Sequence, residues 1–293
     1  MSASAGAERA LTLDASIADD LHSPVMLLAL KGWFDVAGVA TTALQRIVDG
    51  GPSVIVGEID ADPFFDFTVE RPMATFDEHG ERVTEWPITT ICVSRHPSHD
   101  LVVVTGVEPH LLWRTYSEAI AHAADVLGCD VAVTLGAAAE AVPHTRTPRV
   151  VGSTTSDSLA ARLGLSKPTY QGVTGVIGAL LVELDAIGLT AVSLRVGVPH
   201  YLGNSNHPQA SAALVRHLSH VLGDPLPADF TEEIVESDED HAEFVAADPD
   251  MGQYVAMLEH EFDRRAEAQI PSPDELGRQF EQFLRRRRSD DEQ

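Results

Sequence analysis

The chain has 293 residues, enough for one large domain with an appendage, and 44% of them are hydrophobic, enough for a full core. Its formal charge is −25, from 20 Lys and Arg against 45 Asp and Glu, a field that repels phosphate backbones and argues against nucleic acid as a partner. The apolar runs fall short of spanning length, so no membrane partner is expected, and Cys92 and Cys129, in or beside such runs, read as free core thiols suited to a reducing cytoplasm.

In chain order, residues 1–20 are small, polar and acidic, lack the pattern of a signal peptide, and are expected to form a disordered tail. Strands and helices then alternate through a core over 21–223. Strand patterns fit 25–31, 53–59, 87–94, 101–106, 131–135, 149–152 and 190–198. Helical patterns fit 36–48, 111–127, 156–163, 174–187 and 208–222. Near-continuous apolar strands with helical connections imply an α/β fold, a mostly parallel sheet covered by helices on both faces, with 25–31, 101–106, 131–135 and 190–198 at its centre. Residues 62–86 break the rhythm and read as an excursion with a hairpin.

After residue 223 the composition shifts to a C-terminal helical extension over 224–288. Residues 229–250 hold ten Asp or Glu and no Lys or Arg, which calls for solvent exposure. Helices fit 229–244 and 251–268, the second with Tyr254, Leu258 and Phe262 along one face. Ser272, Pro273 and Glu275 mark a further helix start, followed by an apolar stripe of Leu276, Phe280, Phe283 and Leu284. Residues 289–293 are expected to form a second disordered tail.

Four strand ends deliver chemistry towards one edge of such a sheet, where ligands and reacting groups collect. Asp35 and Glu108 follow the strands at 25–31 and 101–106. His144 and Arg146 follow the strand at 131–135, and His200 and Tyr201 follow that at 190–198. Carboxylates and imidazoles suit general acid–base work; equally, they can satisfy backbone groups at sheet ends. No Gly-x-Ser-x-Gly or other nucleophile motif supports catalysis. His96 and His99 flank a Pro in a loop, and no paired ligand motif occurs, so no metal and no cofactor are expected. The Gly172–Gly178 run could hold an anion at a helix entry or let that helix pack closely.

The order of these phrases resembles the actinobacterial branch of the proteasome assembly chaperone 2 family. Gly32, Trp33 and Asp35 come first, then Asp60, Asp66, Arg71 and Pro72. Glu108, Pro109 and Trp113 follow, then Pro143, His144 and Arg146, then Tyr170, Gly172, Thr174 and Gly175, and last Pro199, His200 and Tyr201. The resemblance spans about 22–222. It implies a nucleoside-phosphorylase-like α/β fold without established catalysis, a mainly structural role for the motif positions, and self-association, with a trimer as one stoichiometry. Eukaryotic and archaeal relatives help assemble the 20S proteasome. This chain departs from the pattern at Gln171 and Val173, where the family commonly has Glu and Pro, and at Phe34, where it has a small polar residue. Asp290 to Gln293 cannot dock as the hydrophobic-Tyr-x tail of many proteasome-binding relatives does.

Two functions are therefore expected. One is a non-catalytic assembly-chaperone-like or protein-interaction module in the cytoplasm, with itself, proteasome subunits or another protein as partner. The other is a nucleoside phosphorylase- or hydrolase-like enzyme using the strand-end rim.

Overall fold

The computed structural model describes residues 4–203 and 205–268. In chain order its elements are α1 (Ala5–Ala10), β1 (Leu11–Leu13), β2 (Val25–Lys31), α2 (Val39–Asp49), β3 (Ser53–Ile59), β4 (Met73–Phe76) and β5 (Arg82–Glu85). There follow β6 (Thr89–Ser94), β7 (Leu101–Val107), α3 (Trp113–Val126), β8 (Val131–Glu140), β9 (Val150–Thr154), α4 (Asp157–Leu163) and α5 (Val176–Ala186). The chain continues through β10 (Thr190–Pro199), α6 (Pro208–Leu222), α7 (Thr231–Ala246) and α8 (Pro249–Ala268).

Eight strands form one sheet in the order β1-β3-β6-β7-β2-β8-β10-β9. The central β7, β2, β8 and β10 run parallel, as their unbroken apolar character requires. The flanking pairs are antiparallel. Successive side chains of a strand point to opposite faces, so each central strand feeds two cores. Met26 and Leu28 of β2 pack with α3 and α5 residues such as Tyr116, Ile120 and Leu180. Leu27 and Ala29 pack on the other face with Ala43, Leu44 and Ile47 of α2 and Leu214 and Leu218 of α6. β8 runs five residues past the expected end at 135, through Gly136, Ala137, Ala138 and Ala139. These are weak strand formers, but ten paired positions on β10 hold them extended.

Residues 4–20, expected as a tail without order, are built into the domain. Ser4 caps α1, Ala7 and Ala10 are buried in the core, and β1 adds to the sheet beside β3. Two small residues on a six-residue helix give too little periodicity to read; contacts with the rest of the domain supply the order. The excursion over 62–86 carries the small β4–β5 hairpin. Of its four Phe, Phe64 and Phe65 are core residues, Phe64 standing edge-on to Tyr116 at 5.2 Å, half-buried Phe67 meets Trp86, and Phe76 of the hairpin is exposed. The acidic stretch is the exposed face of α7. The stripe at 276–284 and the tail at 289–293 lie outside the described residues.

Gly57 is where β1 approaches β3: a Cβ there would stand 2.7 Å from the Thr12 carbonyl oxygen and 2.8 Å from Leu13 Cδ1. Gly57→Val should destabilise the protein by about 1–3 kcal/mol, seen as a lower urea midpoint with faster amide exchange in β1. An unchanged midpoint would mean that β1 does not depend on this close approach.

Candidate functional site

Because β2, β7, β8 and β10 are parallel, Asp35, Glu108, His144 and His200 all follow strands at one edge of the sheet. Their side chains nevertheless enter separate neighbourhoods. A cavity of about 240 Å³ is lined by His144 but by none of the other three, and a groove of about 620 Å³ is lined by Glu108 but by none of the other three.

Asp35 is buried. It pairs as a bridge with Ala137 of β8, and its carboxylate accepts from the Ala40 amide at 2.6 Å, the Thr41 amide at 3.2 Å and the Thr41 hydroxyl at 2.6 Å. It ties the loop after β2 to the first turn of α2, whose positive end favours an anion. Burial pushes its carboxyl up, opposed by those three donors. Phe34 beside it lies against Gly136, where a Cβ would stand 2.2 Å from the ring; only a glycine leaves room for this phenyl group.

Glu108 joins two loops. Its carboxylate accepts from the Trp33 amide at 3.0 Å and the Val176 amide at 3.4 Å, so it holds the loop after β2 and the N-terminus of α5 together. The approach is close: a Cβ on Gly32 would lie 2.7 Å from Glu108, and one on Gly175 3.2 Å from its Oε1. Trp33, Tyr170 and Val173 stand out beside this junction with 71%, 75% and 83% of their surfaces exposed. The Tyr170 hydroxyl donates to the Val173 carbonyl and folds the strap before α5 into a turn. Thr174 is exposed on the same strap. On the far side, Trp113 Nε1 donates to the Pro109 carbonyl at 2.7 Å. Asp66 and Asp60 accept from nearby amides in the excursion, and Arg71 and Pro72 lead into β4.

The two Pro-His phrases meet each other and the C-terminal helices. The Tyr201 hydroxyl accepts from the His144 amide at 2.9 Å and faces its Nδ1 at 2.7 Å. His200 Nδ1 donates to the Glu140 carbonyl at 3.0 Å, and its Nε2 faces the Tyr254 hydroxyl of α8 at 3.3 Å. Arg146 grips α8 through both Asp263 oxygens, at 2.9 and 2.8 Å, and through Glu259 at 3.1 Å. This fork holds the Asp263 carboxyl below the usual range. Arg146 thus pairs with α8 carboxylates.

Sequence reasoning missed two members of this neighbourhood. His207 precedes α6 and His241 lies on the inner face of acidic α7; both are buried. Their rings are 5.1 Å apart, with His144 5.7 Å from His241. A lone apolar-facing position in a helix crowded with acids was the one available signal. Burial lowers all three imidazoles, His207 to about 4; His241 depresses His144 further, and both depress His207, while Asp238 and Asp240 oppose the shift of His241. Among the described residues no group of three His, Cys, Asp or Glu is placed to hold a metal ion.

Two outcomes follow from these contacts. Arg146→Ala should loosen α8, giving faster amide exchange over Val255–Leu258 and a lower urea midpoint; unchanged exchange there would show that apolar packing alone holds the helix. His207 binds its proton less readily folded than unfolded, so its contribution is complete above pH 6.5 and is lost as pH falls towards about 4. At most about 3 kcal/mol rides on this step. Urea midpoints across that window should fall less steeply in His207→Asn than in the parent; parallel curves would rule the linkage out.

The model of the PAC2 family matches residues 29–246. A PAC2 family protein from Streptomyces avermitilis is similar at 32% identity and a TM-score of 0.73, over 79% of this chain and 99% of that one. A proteasome-assembly chaperone homologue of Mycobacterium tuberculosis is similar at 31% identity and a TM-score of 0.71, over the same shares. An archaeal homologue of proteasome-assembly chaperone from Pyrococcus furiosus shares the fold at 18% identity and a TM-score of 0.56, over 87% of this chain and 98% of that one. No curated protein matches the chain. The family match covers most of the sequence and carries the motifs that build both strand-end neighbourhoods, and the chain belongs to the PAC2 family.

Proposed function

We propose that this chain is a non-catalytic, assembly-chaperone-like interaction module whose partners are proteins: further copies of itself, a trimer among the stoichiometries, and proteasome subunits or another protein. The observation that carries this reading is the use made of the strand-end polar groups. Asp35 caps α2, Glu108 clasps two loops, and His144, His200, Tyr201 and Arg146 bind one another, a strand carbonyl and α8. These side chains are committed to holding loops, while Trp33, Tyr170 and Val173 stand exposed on the loops so held. Exposed aromatic side chains on a firm support suit a protein contact. Free thiols at Cys92 and Cys129 fit a cytoplasmic setting. Among the described residues no helix is long and apolar enough to cross a membrane.

The enzyme alternative lacks a supporting observation. It needs the rim carboxylates and imidazoles to converge on one reacting centre, and they line different cavities.

Sedimentation velocity of the purified chain, alone and mixed with purified proteasome subunits, tests the proposal. A species heavier than the monomer is expected in at least one arm. The double variant Trp33→Ala with Tyr170→Ala should shift that species towards monomer, with little change in melting temperature because both side chains are exposed. A strictly monomeric chain in both arms, or turnover of nucleosides with phosphate or water by the same preparation, would refute it.

A further inference from the structure

The cavity beside His144 has a feature that the interaction reading leaves unused. His207 lines it, is 6% exposed, and keeps its Nε2 buried without a hydrogen-bond partner. A buried unsatisfied nitrogen is destabilising, and a resident hydrogen-bonding group would relieve it. The same cavity receives the first turn of α6, through Gln209 and Ala210, and no side chain caps that fifteen-residue helix. The start of α6 directs its positive dipole there with one free backbone amide, that of Gln209, because Pro208 has no N–H and the Ala210 and Ser211 amides donate to the His207 carbonyl. Arg149 and Arg265 also line the wall. Of the acids that line it, Glu140 pairs with Arg195 at 2.5 Å, and Asp238 accepts from the neutral side-chain amide of Gln209 at 2.9 and 3.0 Å.

We propose that this cavity is a binding site for a small oxyanion, the phosphate or carboxylate group of a metabolite, held by His207 Nε2 and the Gln209 backbone amide at the start of α6. About 240 Å³ suits a small metabolite. Neutral imidazoles explain how the empty cavity tolerates three close rings, and a bound anion would reverse that preference by favouring the imidazolium of His207. The groups that face His207 are His144, Arg146 and Arg149 from the segment after β8, and Glu140 from β8 itself. Glu233, Glu236, Asp238, Asp240 and His241 line the cavities around it from α7, Arg46 from α2, and Arg265, already paired with Glu261, from α8. An anion would therefore enter as a counter-charge to the protonated ring.

Imidazole resonances of the full chain, titrated with sodium sulfate or sodium acetate against sodium chloride at matched ionic strength, test this. Sulfate stays a dianion across the range used, and acetate separates a planar carboxylate from a tetrahedral oxyanion. Saturable shifts of His207 with one probe and not with chloride are expected, as is a titration midpoint for His207 raised above about 4 when that probe is present. His207→Phe, which keeps the ring volume and removes both nitrogens, should weaken the interaction about tenfold or more. The proposal falls if neither probe gives a saturable shift, if chloride gives the same shift, or if a folded His207→Phe binds as the parent does. Should that variant not fold, the midpoint in the parent protein decides: unmoved by either probe, it overturns the site.

Discussion

Because β7, β2, β8 and β10 pair in parallel, every connection between them has to cross a face of the sheet and return to the same end. That constraint puts α2 and α6 on one face and α3 and α5 on the other. It also collects the segments after four strands along one edge. The alternation of side chains along each strand then divides the apolar residues between two cores. Within these strands polar residues are few, such as Thr134 of β8 and Arg195 of β10; they gather where the strands stop, at Asp35, Glu108, His144 and His200.

What happens along that edge depends on single polar ties. Glu108 reaches across from the end of β7 to amides on two other segments, and the close approach leaves room only for small residues at Gly32 and Gly175. Its carboxylate fixes the loop bearing Trp33 and the start of α5. On the other half of the edge Arg146 takes the comparable part, joining the segment after β8 to Glu259 and Asp263. α7 and α8 therefore cover the His144 half, with Val255 and Leu258 buried beneath. The Trp33 half stays open. One edge carries a covered polar cavity and an exposed aromatic surface, and the two can serve different ends.

The PAC2 family match runs from β2 into α7, through both halves of the edge. A protein-interaction role sits well with this architecture. A catalytic centre needs its polar groups to converge on one point, whereas a docking surface needs firm loops with exposed side chains.

The sequence by itself determined the parallel centre, because apolar runs without alternation at 25–30 and 101–104, with the largely apolar, β-branched run at 190–198, are compatible with little else than strands buried on both faces. It determined the helices through their period, the hairpin excursion through its turn residues, and the family through short phrases in fixed order. Those signals are local, or are carried by spacing along the chain. Only the tertiary structure decided that the strand-end residues divide between two neighbourhoods, since the division depends on α7 and α8 folding back over half of the edge. It alone brought His207 and His241 to His144, residues 34 or more positions apart that no motif connects. It also ordered residues 4–20: a six-residue helix and a three-residue strand have too little intrinsic stability to announce themselves, and gain it from the buried Ala7 and Ala10 and from pairing with β3.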